Sequence, residues 1–179
     1  MKANLFILLA LCNVGALVGQ TLPMQTLNVT QCNVHAQIPA FYTTSVDTLG
    51  LKMYSSLTED SLIGAQLFIY DNYSLDSNDV LKEYMQTYNE TDTLKTIAKF
   101  MVTNSGGTLV YFQINENYIS SKSMDVGINY TDQNTSFVSF TRMILKGKRM
   151  IILNVYAQEC HLSQLLIAKN TCYNGLFVY

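Results

Sequence analysis

Between Leu49 and Gln158 apolar and polar positions alternate in short runs: Leu49 to Leu57, Leu62 to Tyr70, Leu94 to Val102, Thr108 to Ile114, Ser123 to Tyr130, Ser136 to Leu145 and Arg149 to Gln158. A period of two, rich in β-branched and aromatic residues, predicts strands. The breaks are turn chemistry: "NSGG" at Asn104 to Gly107, "NEN" at Asn115 to Asn117, "TDQNT" at Thr131 to Thr135 and "KGK" at Lys146 to Lys148. Short turns between successive strands predict an antiparallel meander. The run at 77–90, "SNDVLKEYMQTYNE", fits a helix and a strand almost equally, with Val80, Leu81, Tyr84, Met85 and Tyr88 at helical spacing behind a capping signal. A helix is predicted over His161 to Asn170, and the terminal "LFVY" can add a short closing strand.

The strongest hairpin signal is Ser136 to Ala157. One face of it carries Val138, Phe140, Arg142 and Ile144 with Ile151, Leu153, Val155 and Ala157; the other carries Phe137, Ser139, Thr141 and Met143 with Met150, Ile152, Asn154 and Tyr156. Both faces are rather apolar, so each must be covered. A mainly β fold, an up-and-down antiparallel β-barrel of about eight strands with a short C-terminal helix, meets that demand: one face looks inward, and the helix covers Met150 and Ile152 outside. Pairing "NSGG" around Ser105-Gly106 sets Phe100 opposite Tyr111 and Val102 opposite Leu109. Pairing "KGK" around Gly147-Lys148 sets Ile144 opposite Ile151 and Arg142 opposite Leu153. Phe100, Val102, Leu109, Tyr111, Phe140 and Leu153 are then the candidate ligand-binding residues of a common interior. Arg142 on that face must reach the mouth, stack on an aromatic ring or pair with an acid, because a lone buried charge is costly.

The first 19 residues have one basic residue, Lys2, an apolar run from Leu5 to Leu11 and small residues at Gly15, Ala16 and Gly19. This is the layout of a secretory signal peptide. Residues 20–179 then form a single secreted, extracellular domain, and no later segment is apolar enough for a membrane span. Without Lys2, Lys+Arg falls to 11 − 1 = 10 against 13 acids, a net charge of −3. That balance provides no basic patch for nucleic acid. Of four cysteines, Cys12 lies in the leader, leaving Cys32, Cys160 and Cys172. An odd number in an oxidising compartment implies one bridge and one remaining thiol. Cys32 joined to Cys160 or Cys172 would staple the N-terminal tail to the C-terminal region; a local bridge between Cys160 and Cys172 is the alternative. Asn-x-Ser/Thr acceptors for sugar occur at Asn28, Asn72, Asn89, Asn129 and Asn134.

The layout of a secreted domain with an early Cys, a strand meander, a helix after the last long hairpin and a C-terminal Cys resembles the lipocalin family. "NYTDQNTSFVSF" is similar to the family's Thr-Asp-Tyr motif at Thr131 and Asp132, with Gln133 in place of Tyr. "LGLKMYSS" is similar to its Gly-x-Trp-Tyr strand at Tyr54, with Met53 where Trp would stand, and the chain has no Trp. The resemblance implies a calyx for a small apolar ligand.

Catalytic signals are absent from the pattern. His35 and His161 have no metal-ligand spacing, no Cys-x-x-Cys pair exists, and the acids are scattered. No enzyme, metal or cofactor is expected. The reading is a secreted glycoprotein binding a small hydrophobic ligand in a barrel cavity. Its alternative is a secreted interaction or storage glycoprotein with a filled β core and no ligand, for which a homo-oligomer is one arrangement.

Overall fold

A computed structural model describes residues 22–48, 50–71, 90–118, 121–147 and 149–179. The signal-peptide segment, Asn72, Asn89 and all but the last residue of the 77–90 run lie outside the described residues. The strands are β1 (Met24–Val29), β2 (Val34–Pro39), β3 (Tyr42–Thr48), β4 (Leu51–Leu57), β5 (Ile63–Asp71), β6 (Thr108–Tyr118), β7 (Ser121–Asp132), β8 (Thr135–Lys146), β9 (Arg149–Gln158) and β10 (Phe177–Val178). The helices are α1 (Glu90–Ser105) and α2 (Leu162–Asn174).

Seven strands form one antiparallel sheet in the order β3-β4-β5-β9-β8-β7-β6, and β1, β2 and β10 form a second. The fold is mainly β, with the helix near the C-terminus, but the large sheet does not close. Its first and last members, β3 and β6, are edges, because β5 pairs with β9 rather than with β6. The barrel is therefore corrected to an open sheet covered on both sides.

The decisive departure is α1. The alternation of Leu94, Thr96, Ala98, Phe100 and Val102 reads as a strand, yet Leu94, Ile97, Ala98 and Met101 also recur at i, i+3, i+4 and i+7. That stripe is what packs: Leu94, Ile97 and Ala98 are buried, while Lys95, Lys99 and Phe100 point to solvent. Helical spacing won because it gathers the apolar groups on one sheet face with Met124, Val126, Ile128, Met143, Leu145, Met150 and Ile152. "NSGG" is accordingly a helix C-terminus and not a hairpin. Gly106 sits at φ 61° and donates to Thr103 O, and the Ser105 hydroxyl accepts from Gly107 N–H at 3.2 Å.

The opposite sheet face carries Ile144, Ile151, Leu153, Val155 and Phe140. It is covered by α2 through Leu165, Ala168, Cys172 and Tyr173, and by the small sheet through Val34, Ala36, Ile38 and Val178. So α2 covers Leu153 and not Met150 and Ile152, which lie beneath α1. The face assignments within β8 and β9 hold as expected. Ile144 pairs with Ile151 and Arg142 with Leu153 across a two-residue loop in which Gly147 has φ 61°. "TDQNT" makes a similar loop, with Gln133 and Asn134 both at positive φ between paired Asp132 and Thr135.

Candidate interaction surface

The six residues expected to line one interior stand in different places. Leu153 is fully buried and Phe140 nearly so, both under α2. Tyr111 packs edge-on against Phe140, ring centroids 6.5 Å apart. Phe100 and Val102 are on α1, so neither pairs with β6. Leu109 pairs with Ile128 and belongs to the α1 side of the sheet, and a bulge at Val110 separates it from Tyr111. The sheet thus divides the set: Tyr111, Phe140 and Leu153 on one side, Val102 and Leu109 on the other, with Phe100 64% exposed.

On the α2 side the awkward charge is satisfied from several directions. Arg142 donates from Nε to Asp125 Oδ1 and from Nη2 to Oδ2, both at 2.7 Å, and from Nη1 to the Tyr173 carbonyl at 3.2 Å. Its guanidinium lies 4.2 Å from the Tyr173 ring centroid. The planar fork matches a carboxylate and stacks on an aromatic face, two things a Lys would not do together. Lys169 of α2 stands between 5.1 and 5.3 Å from the ring centroids of Phe140, Tyr111 and Tyr173. Burial pushes the Tyr173 hydroxyl well above its ordinary range and the Cys172 thiol up to about 12. This region is a packed structural network: of the three outcomes open to Arg142, pairing with an acid and stacking on a ring are the ones it adopts, and Tyr111 and Phe140 pack in the core.

On the α1 side the sheet is not fully roofed at β6. An apolar groove of about 230 Å³ runs between helix and strand, lined by Lys95, Ala98, Lys99, Val102, Thr103, Leu109 and Phe112. Phe112 is 44% and Leu109 51% exposed. Lys95, Lys99, Thr103 and Phe112 were missed as a group, since α1 had been read as a strand. Helical spacing of the two lysines, i and i+4, was the available signal.

A smaller recess of about 80 Å³ lies over the middle strands of the sheet, lined in part by Leu62, Gly64, Phe137, Tyr156 and His161. His35 bonds to the Asn28 side chain, Nδ1 to Oδ1 at 2.6 Å. Among the described residues no group of three or more His, Cys, Asp or Glu side chains is placed to hold a metal ion. No disulfide joins Cys32, Cys160 and Cys172: Cys32 and Cys172 are buried and Cys160 is exposed. Cys32 and Cys172 lie in the same core cluster and Cys160 projects from the turn before α2; the expected staple from Cys32 to either is not seen. Asn28 and Asn134 are exposed, and Asn129 is half-buried within β7. No helix among the described residues is long and apolar enough to cross a membrane.

No protein-family model and no curated protein matches this chain. The fold is similar to the solution structure of cyanobacterial PsbP (CyanoP) from Synechocystis sp. PCC 6803. The TM-score is 0.58 at 11% identity, covering 90% of this chain and 95% of that one. LpqN, involved in cell envelope biogenesis of Mycobacterium tuberculosis, matches at a TM-score of 0.43 and 11% identity, over 87% of this chain and 78% of that one. A protein of unknown function from Pseudomonas aeruginosa, PA94, matches at 0.45 and 10%, over 88% and 98%. At such identities the likeness to CyanoP bears on fold alone. It corrects the lipocalin resemblance: CyanoP is not a lipocalin, and the Thr131-Asp132 pair that suggested one leads into a hairpin loop of an open sheet.

Proposed function

We propose that this is a secreted, non-catalytic glycoprotein that acts by contact through its outer surface, with a solid core and no chamber for a small molecule. One observation carries this reading: the positions that would line a calyx are divided between the two faces of a single covered sheet. Both faces are filled. Leu67, Ile69, Ile144, Ile151 and Leu153 are 1% exposed or less on one side, and Leu94, Met124, Met143 and Met150 are fully buried on the other. Native-like cores of this kind leave few voids larger than a water molecule. The α1–β6 groove, an apolar opening, faces outward. Exposed Asn28 and Asn134 suit sugar attachment, and the leader-like first 19 residues suit export.

Native mass spectrometry of protein expressed through a eukaryotic secretory pathway, then deglycosylated, tests the reading. A clean polypeptide mass is expected, with mass lost on glycosidase treatment. A retained adduct of a few hundred daltons would return the small-molecule carrier to first place.

A further inference from the structure

If the protein acts by contact through its surface, as proposed above, an edge of the large sheet is where a partner can add. β6 is one edge of the seven-stranded sheet, and among the described residues no strand pairs with its outer side. Edge strands are ordinarily guarded by charge, proline or a bulge. The opposite edge, β3, carries Asp47 in an ion pair with Lys52 of β4. Along Thr108 to Asn115, β6 has neither charge nor proline. Its bulge at Val110 leaves Tyr111 to Asn115 in regular register with β7. Beside the regular stretch from Tyr111 to Asn115, which lies between the bulge and Glu116, is the groove, with an apolar lining and two charged groups, Lys95 and Lys99. An edge strand flanked by a helix is the geometry in which an extended peptide adds as one more strand, its main chain bonding the edge and alternate side chains entering the groove.

We propose that β6 and α1 dock an extended acidic segment of a partner protein. Its pattern is an apolar residue with Asp or Glu two and four residues away on the same, groove-facing side. The spacing sets the pattern. α1 runs into β6 through a two-residue turn, so the two are antiparallel, and Val102 lies towards the Leu109 end while Lys99 and then Lys95 lie further along. Lys95 and Lys99 are about 6 Å apart along the helix axis, four residues at about 1.5 Å each. Every second strand residue advances about 6.6 Å and returns to the same face. One apolar side chain against Val102, Leu109 and Phe112 therefore brings two carboxylates, two and four residues away, opposite the two lysines. A second copy of this chain fits less well. Two-fold pairing of β6 with itself would set four lysines along one trough, with no acid in the groove lining to answer them.

The test uses the full mature chain and fluorescein-labelled nine-residue peptides carrying apolar-Ser-Glu-Ser-Glu, or its reverse, with Leu, Ile or Phe as the apolar residue. In low salt, fluorescence polarization should show saturable binding by at least one of these. It should weaken about ten-fold or more in three controls: Glu replaced by Lys, Glu moved to the intervening positions that face away, and N-methylation of alternate amides. Lys95→Glu with Lys99→Glu, both exposed sites, should reverse the charge preference. Amide exchange should slow on peptide addition at those amides between Tyr111 and Asn115 that point away from β7. Binding that ignores register or N-methylation, or no binding across the series, would overturn the proposal. So would protection of those outward amides before peptide is added. If dilution abolishes that protection, a second copy is the occupant; if not, the chain's own residues 72–89 are. A clean native mass beside any of these results would leave the surface-acting reading standing.

Discussion

Asp125 and Arg142 sit directly opposite each other on β7 and β8, joined by two parallel hydrogen bonds of 2.7 Å in a place where their side chains are 5% and 11% exposed. Neither charge reaches bulk water freely, so each depends on the other. Breaking such a pair from one side leaves an uncompensated buried charge, at about 3 to 5 kcal/mol. Asp125→Ala should lower the urea midpoint accordingly. Asp125→Leu combined with Arg142→Met should lose much less, and an equal loss in both variants would show that the pair itself is what stabilises.

Phe140→Ala should cost about 3 to 5 kcal/mol, as large aromatic truncations in packed cores do. Denaturant unfolding reads this directly. Because Phe140 packs against Tyr111 and under Lys169 in a filled core, the folded wild type should not bind an apolar fluorescent dye at that position, and the variant should gain dye binding if a cavity opens. Saturable dye binding by wild type that Phe140→Ala abolishes would contradict a solid core.

The three thiols should differ in reactivity. Cys160 is exposed, whereas burial pushes Cys172 up to about 12. The thiolate is the nucleophile, so a thiol reagent at pH 8 should label Cys160 rapidly in native protein and Cys172 only after unfolding. Peptide mapping of non-reduced protein should recover no bridge among Cys32, Cys160 and Cys172.

Cys172 also predicts an alkaline limit to stability. Its ordinary value is about 9, so above that pH the unfolded chain releases a proton that the folded chain holds. Its contribution is fully present below pH 9 and is lost as pH rises towards 12. Tyr130, Tyr156 and Tyr173, all raised by burial, act with the same sign. Unfolding free energy should fall over this range, and Cys172→Ala should fall less steeply. An unchanged slope in that variant would mean the thiol is not the group responsible.

Gly127 faces Tyr111 and Phe140 across the sheet, and a methyl there would stand 2.9 Å from Tyr111 Cβ and 3.0 Å from the Phe140 ring. Gly127→Ala should destabilise by about 1 to 3 kcal/mol through overpacking. Gly106→Ala meets no neighbour, so any loss there comes from its positive φ. Thermal melts of the two variants distinguish a packing cost from a backbone one.

Most of β4 to β9 was legible because period-two alternation and two-residue turns fix strand, face and register together. Ile144 opposite Ile151 follows from Gly147 and Lys148 alone. Arg142 was legible as a problem: a charge on an apolar face had to find an acid or a ring, and it found both in Asp125 and Tyr173. What escaped reading was long-range choice. The alternation in Leu94 to Val102 hid a helical stripe, and only the sheet face waiting beneath could decide between them. No local pattern showed that β5 would pair with β9, the step that opens the sheet. The N-terminal hairpin β1–β2 was taken for a tail because its polar positions, Gln25, Asn28, His35 and Gln37, mask a buried stripe of Val34, Ala36 and Ile38. The α1–β6 groove vanished with the helix that makes half of it.

The two-residue strand β10 closes the small sheet: Phe177 and Val178 pair with His35 and Val34, Lys146 caps the Val178 carbonyl at 2.8 Å, and Tyr179 N–H donates to Asn33 O. β2 and β10 are thus neighbours in space and some 140 residues apart in order. During synthesis the apolar stripe of Ile151, Leu153 and Val155 emerges before α2 and β10 exist to cover it. Until the last turn of α2 has left the ribosome, that face has only the β1–β2 hairpin to cover it and stays open to wrong contacts. A chain stopped before Leu162 would keep α1 and its side of the sheet yet leave the other roofed by β1 and β2 alone, and would meet chaperones rather than partners.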